Sequence, residues 1–217
     1  MPANSPAIED YLKTVYAHTE WQPDPITPSG LAGALGVAPS SVTEMVKKMA
    51  AQGLVQHVPY GAIRLTDAGR TRALAVVRRH RLIETWLVRE MGYAWDEVHE
   101  EAEQLEHVVS DRLIDRMDEM LGRPEADPHG DPIPNAEGLV KAQEAESLLT
   151  CPLRTPVTVT RVIDQDKVFL RFIENHNLKP GEAIEVEARD AASRSSTSID
   201  SPGLRLCCSM NRRNTLS

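Results

Sequence analysis

The order of hydrophobic periods over residues 6–65 constrains this chain most. Ile8, Leu12, Val15 and Tyr16 fall at helical spacing over residues 6–20. A loop with three prolines covers residues 21–28, and Ser29 is placed to cap a short helix over 30–35 that Gly36-Val37 stops. A third helix, capped by Ser40 or Ser41, carries Val42, Met45, Val46 and Met49 on one face, with Gly53 as its stop. The period then becomes that of strands, 54–58 and 62–65, around Pro59-Tyr60-Gly61. Helix, short helix, sharp turn, capped helix and hairpin in that order predict a winged helix-turn-helix, whose third helix can enter a DNA major groove while the hairpin reaches the backbone. The polar face of that helix holds Ser40, Ser41, Thr43, Glu44, Lys47 and Lys48, and the wing adds Tyr60 and Arg64. These side chains can bond base edges or attract phosphate. The plainer alternative is a small helical domain with a polar outer face and no DNA partner.

Charge is divided along the chain. The net charge is −8, yet residues 1–81 hold nine Lys/Arg against six Asp/Glu, leaving −11 for the remainder. A basic end that can meet phosphate and an acidic end with another task are the expectation. No run of about 18 apolar residues predicts a membrane span, and the N-terminus lacks the blocks of a signal peptide. Cys151, Cys207 and Cys208 form no disulfide framework. A cytoplasmic protein with no membrane partner is expected.

Beyond the hairpin, a long helix is predicted over 68–91, a break at 93–96, and a second long helix over 97–121. Val98, Ala102, Leu105, Val109, Leu113, Met117 and Met120 would form one stripe along it, suited to a partner helix. Prolines 124, 128, 132 and 134 end this region, and 141–149 reads as a polar linker or helix. A small unit follows: a strand over 155–162, a helix over 166–175, a turn at Pro180-Gly181 and a strand over 183–188. Residues 193–217 show no period and are expected to be disordered.

Three of the seven histidines lie within residues 80–107. On one continuous helix turning about 100° per residue, with His99 at zero, Glu103 lies near ~40°, Glu106 near ~−20° and His107 near ~80°. His80 and Glu84 stand one turn apart on the preceding helix. Imidazole and carboxylate without thiolate suit first-row divalent ions of intermediate or hard character. A solvated acidic helix is the plainer reading, but it leaves the interleaving of histidines and carboxylates unexplained. Facing helices with Glu and His also build di-metal oxidase sites. Those draw on repeated Glu-x-x-His, whereas Glu103 and His107 are one residue further apart and only one helix is dense in these residues.

His80-Arg81-Leu82-x-Glu84, Val98-His99-Glu100-Glu101-x-Glu103 and Leu105-Glu106-His107-Val108-Val109-Ser110-Asp111 together resemble the diphtheria toxin repressor family. So do Glu9-Asp10-Tyr11-Leu12, Gly53-Leu54-Val55, Leu65-Thr66-x-x-Gly69 and Pro128-His129-Gly130-Asp131-Pro132-Ile133-Pro134. The resemblance covers roughly residues 5–190. It implies a mainly α protein with small β parts: an N-terminal winged helix-turn-helix, a helical metal-binding and dimerisation domain, and a C-terminal SH3-like β domain. The expected division is 1–75, 76–140, a linker at 141–154, 155–192, and the tail from 193. The SH3-like domain would be incomplete, because two or three more strands are due after Ala188 and residues 193–217 offer none.

The resemblance also implies a homodimeric, metal-activated repressor of metal-uptake genes that binds palindromic double-stranded DNA operators and is not an enzyme. It places one metal site at Asp10, Glu103, Glu106 and His107. A second site would use His80, Glu84 and His99, completed from the SH3-like domain by Asp164. A further ligand, usually Gln, would fall near Lys167, which cannot ligate while charged. Iron-sensing members have Met and Cys where this chain has Asp10 and Glu103, the pattern of the manganese regulators of the family. The resemblance therefore implies two Mn(II) sites per subunit. An Fe(II)-activated repressor of the same fold is the alternative, and a metal-dependent enzyme ranks below both because no nucleophile motif or phosphate-binding glycine loop is present.

Overall fold

The computed structural model describes residues 5–22, 24–57, 61–141, 145–187 and 206–210. The chain divides into two compact units. The first holds residues 1–80, 106–108 and 134–139, and the second holds 81–105, 109–133 and 140–217.

In the first unit, α1 (Pro6–Trp21), α2 (Pro28–Leu35) and α3 (Pro39–Ala51) precede an antiparallel hairpin of β1 (Val55–His57) and β2 (Ile63–Leu65), paired Val55 to Leu65 and His57 to Ile63. This is the winged helix-turn-helix that the periodicity predicts. The caps differ from expectation. Thr27, not Ser29, caps α2, its hydroxyl accepting from the Gly30 amide at 3.0 Å. Neither Ser40 nor Ser41 caps α3: Ala38 stands at its N-cap and Pro39 opens it, the proline being preset for a first helical position. Gly36 turns the chain between α2 and α3 at φ 65°, a left-handed conformation that favours glycine. Of the predicted apolar set, Ile8, Leu12, Val15, Tyr16, Val42, Val46 and Met49 are buried and Met45 is half-buried, and Leu31 and Ile63 complete the core. A backbone bond from the Ile63 amide to the Ile26 carbonyl, 2.9 Å, fastens the wing beside α2.

Helix α4 (Asp67–Met91) supplies residues to both units. The single long helix expected over 97–121 is two helices, α5 (Val98–Leu105) and α6 (Asp111–Met120), the second capped by Ser110. The physical reason is polar: Glu106, which a continuous helix would carry on its flank, is 0% exposed and bonded in the first unit. The apolar stripe is split accordingly. Val98, Ala102 and Met117 are buried with Leu82, Ile83, Leu87 and Ile114, whereas Leu113 and Met120 are exposed.

The rest of the second unit is a four-stranded sheet, order β3-β6-β4-β5, with helix α7 (Lys167–Asn175) capped by Asp166. Its strands are β3 (Glu146–Ser147), β4 (Pro156–Val162), β5 (Ala183–Glu185) and β6 (Leu206–Met210). β6 corrects the reading of the tail. Leu206–Met210 lies between β3 and β4, pairing Val157 with Met210 and Val162 with Leu206, so the tail returns a strand to the sheet. The remainder of residues 193–217 lies outside the described residues. Trp95, Val159, Val162, Phe169, Leu170 and Ile173 form one buried cluster under this sheet.

Candidate metal centres and DNA interface

The first cluster forms where α1 meets residues 106–108. Burying Ile8, Leu12 and Val15 turns Glu9, Asp10 and Lys13 of α1 toward that turn. His107 Nε2 lies 2.7 Å from Asp10 Oδ1, and its Nδ1 lies 2.9 Å from Glu9 Oε2. Glu106 accepts from Lys13 Nζ at 2.6 Å on one oxygen and from His80 Nδ1 at 2.6 Å on the other, and its Oε1 is 3.4 Å from His107 Nε2. Ligand-type atoms of Asp10, Glu106 and His107 lie within 4.8 Å of one another. Burial disfavours both charges. It is outweighed at Glu106 by His80 and Lys13, which hold the carboxyl below its ordinary range, and at His107 by Glu9, Asp10 and Glu106, which hold the imidazolium up. Three anions and their cations thus share one partly dry pocket, whose donors are all oxygen or imidazole nitrogen.

The second cluster lies in the other unit and centres on Glu84, which is 0% exposed. Its Oε1 lies 3.3 Å from His99 Nδ1 and its Oε2 lies 3.7 Å from His129 Nδ1. Glu84, Asp127 and His129 offer ligand-type atoms within 4.8 Å of one another, all buried. His129 is fixed by donation from Nε2 to the Trp95 carbonyl, 2.9 Å, and by stacking on the Trp95 ring. Asp127 Oδ1 accepts from the backbone amides of His129 and Asp131 at 2.8 and 2.9 Å. The atoms left facing the cluster, His129 Nδ1 and Asp127 Oδ2, have no hydrogen-bond partner among the described residues. Buried polar atoms without partners are rare, and an ion between them would satisfy both. Burial works against a charged His129, yet the Glu84 and Asp127 carboxylates raise it to about 9. Burial, with Asp131 and Glu84 beside it, pushes Asp127 upward. The loop depends on Gly130 at φ 87°, where a Cβ would overlap the Thr160 carbonyl oxygen.

The residues singled out from sequence are distributed as follows. Asp10, Glu106 and His107 come together. Glu103 belongs to the second unit, where it lies 3.6 Å from His99 Nε2. His80 Nδ1 is engaged by Glu106 in the first unit, while Glu84 and His99 face each other in the second. Asp164 Oδ1 accepts from the Asp166 amide in the turn before α7, and Lys167 Nζ pairs with Glu100 Oε1 at 2.8 Å. Sequence reasoning misses Asp127 and His129 as ligand candidates, although Pro128-His129-Gly130-Asp131 is part of the family resemblance. The signal was there: a histidine two residues from each of two aspartates in a proline-rich loop. Glu9 and Lys13 were also missed. Ser40, Ser41, Thr43, Glu44, Lys47 and Lys48 are all exposed on α3, and Arg64 is exposed on β2. Tyr60 lies outside the described residues.

A winged helix joined to clusters of carboxylate and imidazole defines a metal-responsive DNA-binding regulator. Residues 5–63 match the family model "Iron dependent repressor, N-terminal DNA binding domain", and residues 66–135 match "Iron dependent repressor, metal binding and dimerisation domain". The chain is 30% identical to the iron-dependent repressor IdeR of Mycobacterium leprae, over 84% of each protein. It is 36% identical to the diphtheria toxin repressor of Corynebacterium glutamicum over 64% of this chain and 60% of that one. Among solved structures, a manganese-dependent transcriptional repressor in complex with manganese aligns with a TM-score of 0.85 and 43% identity, covering 93% of this chain and 98% of the other. The chain belongs to the diphtheria toxin repressor family. It is a metal-dependent transcriptional repressor with a DNA-binding domain and a dimerisation domain, from a family of regulators and not of enzymes. No described helix is long and apolar enough to cross a membrane.

Proposed function

We propose that this chain is a Mn(II)-activated repressor of metal-uptake genes, cytoplasmic, that binds a palindromic operator as a homodimer and holds two metal ions per subunit. The observation that carries the metal choice is the donor set at α1: Asp10, Glu106 and His107 converge with no sulfur among them. Hard oxygen donors with imidazole suit Mn(II), whereas thioether and thiolate favour softer ions. The manganese-dependent repressor at 43% identity supports the same reading. The iron-dependent relatives, IdeR at 30% identity among them, support Fe(II) as the second reading.

The first centre is assigned to Asp10, Glu106 and His107, with Glu103 as the fourth ligand that the family resemblance implies. The second is assigned to Glu84, Asp127 and His129, because their ligand-type atoms lie within 4.8 Å of one another in a buried site, where His129 Nδ1 and Asp127 Oδ2 have no hydrogen-bond partner among the described residues. His80, His99 and Asp164 are the ligands that the resemblance adds there. A divalent ion in the first centre would supply the positive charge that lets Asp10, Glu106 and His107 stay close while the imidazole is neutral. The chain's own residues do the rest. Asp10 sits on α1, which packs against α2 as α2 packs against α3, so a force on Asp10 has a path to the groove-reading helix through α2. Lys13 holds Glu106 in place without metal, and His107 can release its proton to bind. On α3, Lys47 and Lys48 are assigned to phosphate, and Ser41, Thr43 and Glu44 to base edges.

The test is isothermal titration of Mn(II) and Fe(II), anaerobically, into the apo chain and into Asp10→Met with Glu103→Cys. Mn(II) should give two sites in the parent, and the double variant should gain preference for Fe(II). Equal Mn(II) affinity and activation in both proteins would overturn the assignment of these two residues.

A further inference from the structure

His129 is the imidazole of the second centre, and its backbone is pinned on both sides. Its amide donates to Asp127 Oδ1 at 2.8 Å, and its carbonyl accepts from the Val162 amide at 2.8 Å. The ring itself is set by Trp95, in the turn before α5. Nε2 lies 2.9 Å from the Trp95 carbonyl, and the imidazole stacks on the indole with centroids 5.5 Å apart and planes at 27°. A carbonyl can only accept, so Nε2 carries a proton. Nδ1, 3.7 Å from Glu84 Oε2, has no hydrogen-bond partner among the described residues. Trp95 is held firmly in turn. It is buried with Val159, Val162, Phe169, Leu170 and Ile173, and Lys179 Nζ lies over its ring, 5.2 Å from the centroid. The residue after it, Asp96, accepts from Arg171 Nε at 2.8 Å. The indole N–H has no hydrogen-bond partner among the described residues, so packing sets the place of the ring.

We propose that Trp95 is a positioning residue of the second centre: its carbonyl selects Nδ1 of His129 as the ligating nitrogen, and its ring holds the imidazole plane in line with Glu84 and Asp127. The inference rests on the assignment of Glu84, Asp127 and His129 as a metal centre. A half-turn of the imidazole would place carbon atoms where Nδ1 and Nε2 stand. The Trp95 carbonyl would lose its donor, and the two carboxylates would face a carbon. The hydrogen bond opposes that half-turn, and the stack opposes tilting of the plane. The carbonyl retains the Nε2 proton, so Nδ1 is the nitrogen that offers its lone pair. A bond from the far nitrogen of a ligating imidazole to a carbonyl both orients the ring and makes it a better donor.

The experiment uses the full chain with isotope-labelled histidine. Zn(II), a diamagnetic ion, is the probe for nitrogen NMR, and Mn(II) calorimetry gives affinity. In the parent, saturating Zn(II) should shift His129 Nδ1 to the metal-bound range while Nε2 keeps its proton. A metal shift at Nε2 instead overturns the role of Trp95. No change at His129 removes the centre itself, so the two failures are told apart in one spectrum. Trp95→Leu removes the ring and keeps the carbonyl. It should weaken Mn(II) binding at one site roughly tenfold, the lower end of what losing a ligand's orienting partner costs. The other site should be unchanged, and the His129 Nε2 proton should exchange faster with water. Trp95→Phe keeps a flat ring and should bind within about threefold of the parent. A Trp95→Leu that melts lower yet binds Mn(II) like the parent has lost only packing, and overturns the proposal. So does a Trp95→Phe that loses roughly tenfold in affinity. If Trp95→Leu does not fold, the parent spectrum and Trp95→Phe decide.

Discussion

Replacing Glu106 by Gln perturbs the junction between α1 and the 106–108 turn at its most buried point. The carboxylate is fully enclosed, whereas the Lys13 and His80 side chains that donate to it are 14% and 9% exposed. Glutamine keeps the volume but offers one oxygen and no charge: its Oε1 can still accept from Lys13, but its NH2 then meets His80 Nδ1, which must give up its proton to accept, and the ionic contact to both cations is lost. Breaking a buried ionic contact by removing one partner costs about 3 kcal/mol at the lower end of the range, which applies here because Lys13 keeps some solvent. For a chain of this size each kcal/mol moves Tm by about 2–4 °C, so apo Glu106→Gln should melt about 6–12 °C below the parent. Metal amplifies the difference. Mn(II) at about a hundredfold excess over Kd adds about 2.7 kcal/mol per intact centre, and the variant should lose the share due to this one. Calorimetric or fluorimetric melts with chelator and with Mn(II) read both effects. A variant Tm within about 2 °C of the parent in chelator, or an undiminished Mn(II) shift, would refute the reasoning.

Lys47→Ala should weaken binding to every DNA sequence and reduce the salt slope by about 0.9, one phosphate's worth, in anisotropy titrations; an unchanged slope would remove Lys47 from the interface. His107 is raised in the fold, so in the apo protein its contribution is full below the ordinary histidine value of 6.5 and is lost as pH rises through the folded value. Glu106 is lowered, so its contribution is present above the ordinary 4.5 and is lost as pH falls through the folded value. Ligation needs neutral imidazole, so the Mn(II)-induced rise in Tm should grow between pH 6 and 8, and a shift flat with pH would contradict this. Because His129 is held up to about 9 and Asp127 beside it is also raised, Mn(II) binding at the second centre should release at least one proton near pH 7.5; calorimetry in buffers of different ionisation enthalpy should show it. Gly130→Ala should destabilise the second unit and weaken that centre, since the added carbon meets the Thr160 carbonyl oxygen; an unchanged melt would refute the packing argument.

The winged helix was legible because its signals are local: the 3.6-residue period of α1 and α3, the glycine at 36 and the change to period two at the hairpin. Tertiary demands were not. A helical wheel laid over residues 97–121 assumed one helix, yet the pull of Lys13 and His80 on Glu106 ends α5 at Leu105. The wheel thus placed His107 beside the stripe, although its partners Glu9 and Asp10 lie about a hundred residues away. β6 was invisible for a related reason. Leu206–Met210 is short and lacks alternation, and its strand character comes from pairing with β4 and β3. Asp127 and His129 are not legible as ligands because a proline-rich loop reads as a connection, and only the fold brings it beside Glu84. Residue types carry the chemistry without any distance: carboxylate and imidazole without thiolate suit first-row divalent ions.

Metal-controlled DNA binding through α1 can be measured directly. Fluorescence anisotropy on a palindromic fragment selected from genomic DNA should be run with Mn(II) and with chelator, on the parent and on Asp10→Asn. Mn(II) should tighten binding by the parent at least about a hundredfold, the scale of a strong allosteric coupling, and binding by Asp10→Asn less than about fivefold. Equal activation of both proteins, or parent binding that is the same in chelator as in Mn(II), would contradict it.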